Sequence, residues 1–422
     1  MSSEDTNIAD LEKSPGFRPV PKTGVIYVMT EAAKHGYQTG SSDWANLGQG
    51  APETGDIPGA PERLLQISMT TDDLEYAPVD GLDELKEGVA ELYNQRYRQN
   101  KSSKYTKDNV AICSGGRLAV TRAVSALGRT NIGHFLPDYT AYEELLEAFG
   151  SFVPIPILAD ETKGYEFSAE ALKKEVLGRG LSSVLLSNPS NPTGRLISGK
   201  DLKAWTDVSR EHRCTLIFDE FYSHYIFDQE RLSVSAAEFV EDVNKDPVIV
   251  IDGLTKNWRY PGFRVSWTVG PRSVIEAVSS AGSFLDGGCA QPMQIAATKL
   301  VNQELADQEA AAIKKNFSAK REFIVSELTK LGIEINPKPA GSFYCWGNLE
   351  GLPKKINTGM QFFRAGLDAG VITVPGAFFD INPGQRRSAD RPSRFRHFAR
   401  FSFGPDMPQL ERGVKALKKL IG

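Results

Sequence analysis

Lys256 lies in the turn I-D-G-L-T-K-N-W-R-Y-P-G-F-R, which follows the apolar run Val248–Ile251; Thr255 precedes it and Arg264 stands eight residues on. A lysine amine beside a hydroxyl and a guanidinium offers a nucleophile or base together with two donors suited to a phosphate. A second apolar run, Leu216–Phe218, ends abruptly in Asp219 and Glu220, with Tyr222 three residues past the aspartate. A third, Val184–Leu186, runs into S-N-P-S-N-P-T-G from Ser187 to Gly194. Each reads as a buried strand that releases polar residues at its C-terminal end. In an open α/β sheet, that is where ligands bind.

Together these residue types suit pyridoxal phosphate, which is held as a Schiff base on lysine with an acidic partner at its pyridinium nitrogen. The carboxylate keeps that nitrogen protonated, so the ring can take up electrons from a carbanion at the substrate Cα. The freed lysine is then placed to move the proton. Taken singly, each residue has a plainer reading. Lys256 could be a surface lysine, Asp219 a helix cap, Asn191-Pro192-Thr193-Gly194 a simple turn, and Tyr139 and Tyr222 ordinary core-edge aromatics. Their joint occurrence at strand ends, in order, argues for a site.

From about Leu47 to the C-terminus the chain resembles the class I/II aminotransferases, the fold-type I enzymes dependent on pyridoxal phosphate. By that resemblance Lys256 carries the Schiff base and acts as general acid/base, Asp219 pairs with the ring nitrogen, and Asn191 and Tyr222 bind the 3′-oxygen. Thr255 and Arg264 hold the phosphate. The stretch C-S-G-G-R-L-A-V-T-R-A-V (Cys113 to Val124) reads as a glycine turn opening a helix, whose N-terminal amides can bind an anion. The family places the phosphate there, at Gly115, Gly116 and Arg117. F-L-P-D-Y (Phe135 to Tyr139) supplies Tyr139 as the ring stacked on the pyridine. N-L-G-Q-G-A-P (Asn46 to Pro52) resembles the substrate loop and contributes Gly48. Tyr76, in Y-A-P-V-D-G-L-D-E-L, resembles the tyrosine that reaches a partner subunit's phosphate. Arg400, in A-R-F-S-F, matches the arginine that grips the substrate α-carboxylate, next to Asn191. The resemblance also implies cis peptides at Leu136-Pro137 and Asn191-Pro192.

The implied reaction is ping-pong transamination between an amino acid and a 2-oxo acid. One subgroup of the family uses a basic residue directly after the glycine pair; Arg117 stands there, so the resemblance implies an acidic partner such as glutamate or 2-oxoglutarate. The stretch Ser280 to Gln291, where another subgroup keeps a distal-carboxylate arginine, has no arginine or lysine. The same residues also serve elimination, substitution, cyclisation, decarboxylation or oxidation. A cofactor-binding sensor without catalysis is the remaining alternative, and the segment before Leu47 is too short and proline-broken for a DNA-binding helix-turn-helix.

The elements that must position these residues follow from pattern. Strand-like runs alternate with helical stretches from Ala60 to about Leu300, the βαβ rhythm of a mostly parallel sheet sandwiched by helices. A long helix over about Gln303 to Leu331 leads into a smaller α+β unit with strands near Phe343 to Trp346, Val371 to Val374 and Phe401 to Phe403. A last helix starts at Pro408 with Asp406 as cap. The expected division is 1–60 as an N-terminal arm and part of the small domain, 61–310 as the large cofactor-binding domain, and 311–422 as the small C-terminal domain. Pro15, Pro19 and Pro21 argue against a long helix in the arm.

The chain has 422 residues, 24% of them charged, with a net charge of −4. That balance argues against nucleic-acid binding through a basic face. No apolar run approaches the roughly 20 residues of a membrane helix. The four cysteines show no C-x-x-C and the five histidines no metal-type pair, so no metal site is expected. The N-terminus is acidic and polar, unlike a secretory or transit signal, so a cytoplasmic location is expected, and the resemblance of the Tyr76 segment implies a homodimer with shared active sites. His224 reads as structural, because Lys256 already moves protons. Cys289 has no assigned chemistry. From Ile381 to His397 the chain departs from the family with a segment carrying Arg386, Arg387, Arg391, Arg394 and Arg396. It reads either as a solvated insertion or as a basic lip on the cleft.

Overall fold

Short runs of β-branched and aliphatic residues make strands that are buried on both faces, as a helix-covered parallel sheet requires. The computed structural model describes residues 16, 17, 20, 22, 24–227, 230–388 and 390–422. In chain order the strands are β1 (Ala45–Asn46), β2 (Val110–Cys113), β3 (Asn131–Leu136), β4 (Val153–Leu158), β5 (Leu181–Ser187), β6 (Thr215–Asp219), β7 (Val248–Gly253) and β8 (Ser266–Val269). The C-terminal part adds β9 (Glu334–Ile335), β10 (Tyr344–Asn348), β11 (Val371–Ile372), β12 (Val374–Pro375) and β13 (Phe398–Ser402).

The main sheet has the order β2-β8-β7-β6-β5-β3-β4. Its β7–β6–β5–β3–β4 pairs are parallel, while β8 runs antiparallel to both β7 and β2. The expected α/β class and mostly parallel sheet are what the chain adopts. Alternation along the strands divides the interior. Leu216, Phe218, Val248 and Val250 join one hydrophobic cluster, whereas Ile217, Ile249 and Ile251 join the other. Because β2, β3, β5, β6 and β7 all point the same way, their C-terminal ends open on one edge.

A second sheet, β12-β13-β10-β9, is antiparallel. β1 pairs in parallel with β11, Ala45 opposite Val371, so the segment before the main sheet joins the C-terminal part. Helix Gln303–Lys330 connects the two sheets; the Asn302 side chain caps it by accepting the Leu305 amide at 3.0 Å. The last helix, Met407–Ile421, has the expected Asp406 cap on the Gln409 amide, also at 3.0 Å. In the arm, an 11-residue helix covers Gly24–Lys34. The prolines at 15, 19 and 21 lie outside the described residues. Leu136-Pro137 and Asn191-Pro192 are both cis, as are Asn188-Pro189 and Asn336-Pro337. No helix among the described residues is long and apolar enough to cross a membrane.

Candidate active site

The strand ends converge on a cavity of about 380 Å³. Of the residues singled out in the sequence, Gly116, Arg117, Tyr139, Asn191, Asp219, Tyr222, Thr255, Lys256 and Arg264 line it. Val120, Tyr142, Leu145, Ser187, Phe221 and Pro261 complete the wall. Apolar surface thus alternates with a few convergent polar groups, the usual make-up of a small-molecule site.

One end is shaped for an anion. Gly115 has φ +89° and ψ 158° and precedes helix Gly116–Ser125, which has no side-chain cap. A Cβ on Gly115 would stand 2.0 Å from an Arg264 guanidinium nitrogen, and one on Gly116 would stand 2.4 Å from the Phe221 ring. Both glycines therefore let neighbours come against the backbone. The first-turn amides carry the positive end of the helix dipole. Thr255 Oγ1 is buried, with no partner among the described residues. An orphan hydroxyl, open helix amides and an adjacent guanidinium make a cradle that a phosphate fits.

The cavity also holds a buried carboxylate and an amine. Tyr142 donates its hydroxyl to Asp219 Oδ2 at 2.7 Å, while Oδ1 accepts only a long 3.4 Å bond from the Phe221 amide. Burial raises the Asp219 carboxyl above its ordinary range, and the Tyr142 hydrogen bond and the Lys256 charge oppose that rise. Asn191 Nδ2 contacts the Tyr222 hydroxyl at 3.5 Å, and that hydroxyl meets Tyr344 OH at 3.1 Å. The Lys256 amine donates to the Gly50 carbonyl of the substrate-type loop. Its pKa falls to about 7, first through burial and then through the positive charges of Arg400, Arg117 and Arg264, with Asp219 opposing. A lysine so tuned is substantially a free amine near neutral pH. These groups fit pyridoxal phosphate: an uncharged amine, a carboxylate with one open oxygen, and a separate phosphate cradle.

Arg400 comes from β13, opposite Trp346 of β10. It is 1% exposed. One nitrogen donates to Asn191 Oδ1 at 3.0 Å and another to the Gly48 carbonyl at 2.9 Å. Its Nε has no partner among the described residues. The guanidinium stacks 4.1 Å above the Tyr344 ring and 5.2 Å from the Phe379 ring. Gly48, Asn191 and Arg400 thus form one cluster, although they are far apart in sequence.

Other residues fall elsewhere. Tyr76 is 95% exposed and does not line the cavity. The Arg117 guanidinium is not free: it donates to the Tyr139 hydroxyl at 3.3 Å through two nitrogens. His224 is buried, contacts the Asn257 carbonyl at 2.8 Å and meets Arg96 at 2.7 Å, a structural setting. None of the five arginines between 381 and 397 lines the cavity. The sequence reading missed Tyr142 and Tyr344. A hint for Tyr142 was available in Y-T-A-Y, where it follows Tyr139 by one helical turn. Tyr344 has no local signal, since a tyrosine on a buried strand is ordinarily core.

A family model described as aminotransferase class I and II matches residues 42–417. An aspartate aminotransferase of Streptomyces avermitilis is 28% identical over 360 residues, 82% of this chain and 81% of that protein. A probable aspartate/prephenate aminotransferase of Aquifex aeolicus is 24% identical over 90% of this chain and 91% of its own length. Among solved structures, the aspartate aminotransferase from Thermus thermophilus with maleate superposes with a TM-score of 0.77 at 20% identity, covering 96% of this chain and all of that one (100%). The aspartate aminotransferase from Rhizobium meliloti gives 0.76 at 22% identity, over 96% and 99% of the two chains. The structural likenesses establish the shared fold.

Proposed function

Because the chain belongs to the aminotransferase class I and II family, and so is a transaminase that works with pyridoxal phosphate, we propose that Lys256 is its cofactor-bearing lysine and general acid/base. When bound, the cofactor supplies an electron sink for a carbanion at the substrate Cα. The chain's own residues do the rest. Gly115, Gly116, Arg117, Thr255 and Arg264 would hold the phosphate; Asp219 would keep the ring nitrogen protonated; Asn191 and Tyr222 would hydrogen-bond the ring oxygen, and Tyr139 would pack on the ring. Arg400, steered by Asn191 and Gly48, takes the substrate carboxylate as a planar two-pronged donor. Lys256, as a neutral amine in the same cavity, would take and return the proton at Cα.

The observation that carries this reading is the amine of Lys256, with its pKa near 7, sharing one cavity with Asp219 and an anion cradle. The test is borohydride reduction of the holoenzyme followed by peptide mass mapping. The cofactor should be fixed to Lys256; fixation to another lysine would sink the assignment.

For the partner substrate the reading is an acidic one, glutamate or 2-oxoglutarate. Arg117 supplies a positive charge on the cavity wall, and relatives are named aspartate and aspartate/prephenate aminotransferase. The acting species is a homodimer. Tyr76 and the apolar side chains of Leu65, Leu74 and Phe284 are more than two-thirds exposed, with Leu65 at 87%. Large apolar side chains left this exposed suit burial against a second copy. We read the chain as a large unit over 61–310 and a small one over 311–422; the two separate sheets and the pairing of β1 with β11 support that division. Four unpaired buried cysteines suit the reducing cytoplasm.

A further inference from the structure

The six-residue helix Tyr142–Glu147 is too short to be stable alone, so whatever packs on it decides where Tyr142 points. Tyr142 is fully buried, and its ring meets that of Tyr139 edge-on at 5.4 Å and 81°. Its hydroxyl occupies Asp219 Oδ2 and leaves Oδ1 available to a donor in the cavity. The outer side of the helix is covered by the arginine-rich segment. The Asn382 amide donates to Glu143 Oε2 at 3.0 Å, and the turn Pro383–Gln385 packs against the helix.

That segment is itself organised around the buried carboxylate of Asp380. It receives the Arg387 guanidinium, the Ser393 hydroxyl at 3.0 Å and the Arg394 amide at 2.9 Å. Arg387 also donates to the Ile381 carbonyl at 2.7 Å, and its backbone exchanges two 3.0 Å bonds with the Asn382 side chain. Arg387 is therefore held against Asp380 as a counter-charge, while the exposed Arg394 guanidinium lies 3.7 Å from the same carboxylate; a lip reaching over the cleft would not use Arg387 in this way.

We propose that Tyr142 is a positioning residue for Asp219, and that segment 381–397 is the brace that keeps its helix in place. The proposal rests on Asp219 facing the cofactor ring nitrogen. Several titratable groups besides Tyr142 face Asp219: Lys256 across the cavity, Asp138 after β3, Glu220 beside it, Asp252 on β7 and Tyr344 on β10. Substitution at Tyr142 or Glu143 leaves all of them unchanged.

The sign of the effect follows from the proton balance. A protonated ring nitrogen binds an ionised carboxylate, so cofactor affinity falls as pH drops through the Asp219 pKa of the free site. Burial already raises that pKa, and removing the phenol donor raises it further. The test is equilibrium dialysis of full-length holoenzyme against graded pyridoxal phosphate between about pH 5 and 9. Tyr142→Phe should move the acid-side midpoint of affinity upward by about one pH unit, the scale of one lost hydrogen bond to a charged group. Glu143→Ala should move it in the same direction by less, with melting temperature as the folding control.

An unmoved midpoint in Tyr142→Phe overturns the role of Tyr142. A Glu143→Ala profile that superposes on wild type overturns the brace. A uniform loss of affinity at every pH marks simple packing and overturns both. If wild type does not hold cofactor on Lys256, the site assignment itself fails and takes this proposal with it, an outcome recognisable because it needs no variant.

Discussion

Gly115→Ala is the sharpest single-atom probe of the anion cradle. The added Cβ would stand 2.0 Å from Arg264 Nη2 and 2.5 Å from its Cζ. Ordinary contact needs about 3.4 Å or more, so the guanidinium must retreat by over an ångström. The backbone cannot give way instead, because φ +89° with ψ 158° is a region open essentially to glycine alone. Holding alanine there costs about 1–3 kcal/mol. Two effects then separate. The strain lowers the stability of the cofactor-free protein and appears as a lower melting temperature. The displaced arginine loses a charge-assisted bond to phosphate, about 1.5–3 kcal/mol, so the cofactor Kd should rise about 10- to 150-fold. Equilibrium dialysis reads the second effect and thermal unfolding the first. Gly128→Ala is the control, since nothing lies within 4 Å of its Cβ position. If Gly115→Ala bound cofactor as tightly as this control, Arg264 would not be a phosphate ligand and the cradle argument would be wrong.

In cofactor-free protein, an amine-selective reagent should label Lys256 faster as pH rises through about 7 and then level off, because only the neutral amine reacts and its pKa is brought down to about 7; an ordinary lysine keeps accelerating toward roughly pH 10, and such a profile at Lys256 would refute the tuning. Arg400→Ala removes a buried contact to a charged group worth about 2–5 kcal/mol, so kcat/KM should fall at least about 30-fold for every amino-acid and oxo-acid substrate; a loss confined to one substrate would assign Arg400 to side-chain recognition. Arg117→Ala should raise KM for glutamate or 2-oxoglutarate and spare a neutral partner, and equal losses for both would leave Arg117 as a support for Tyr139. Tyr76→Ala should weaken cofactor binding although the side chain is 95% exposed in one chain; an unaffected Kd, or an active monomer by light scattering, would remove the shared-site reading.

The core of the site was legible in the chain because strand ends are local features. An apolar run that stops at Asp219, Thr255-Lys256 or Asn191 says both that a buried strand ends there and which polar group it releases. A parallel sheet then brings those ends to one edge whatever the intervening helices contain. Gly115 and Gly116 were legible for a similar reason, as a glycine turn opening a helix, though not the particular neighbours that need the space. Tertiary structure decided what depends on elements meeting across long sequence separations. Arg400 meets Asn191 and Gly48 only because β13 lies beside β10 and β12 while the loop after β1 folds back toward it. Tyr142 reaches Asp219, and Tyr344 reaches Tyr222, through side chains 77 and 122 residues apart. The arginine-rich segment read from composition as a solvated face or a lip, because composition counts charges without their partners. Its direction was settled by one buried carboxylate, Asp380, which turns Arg387 inward. Hydrophobic pattern and turn chemistry act over a few residues and can be read in order along the chain; side-chain direction within a shared core is set by whatever packs on the other side.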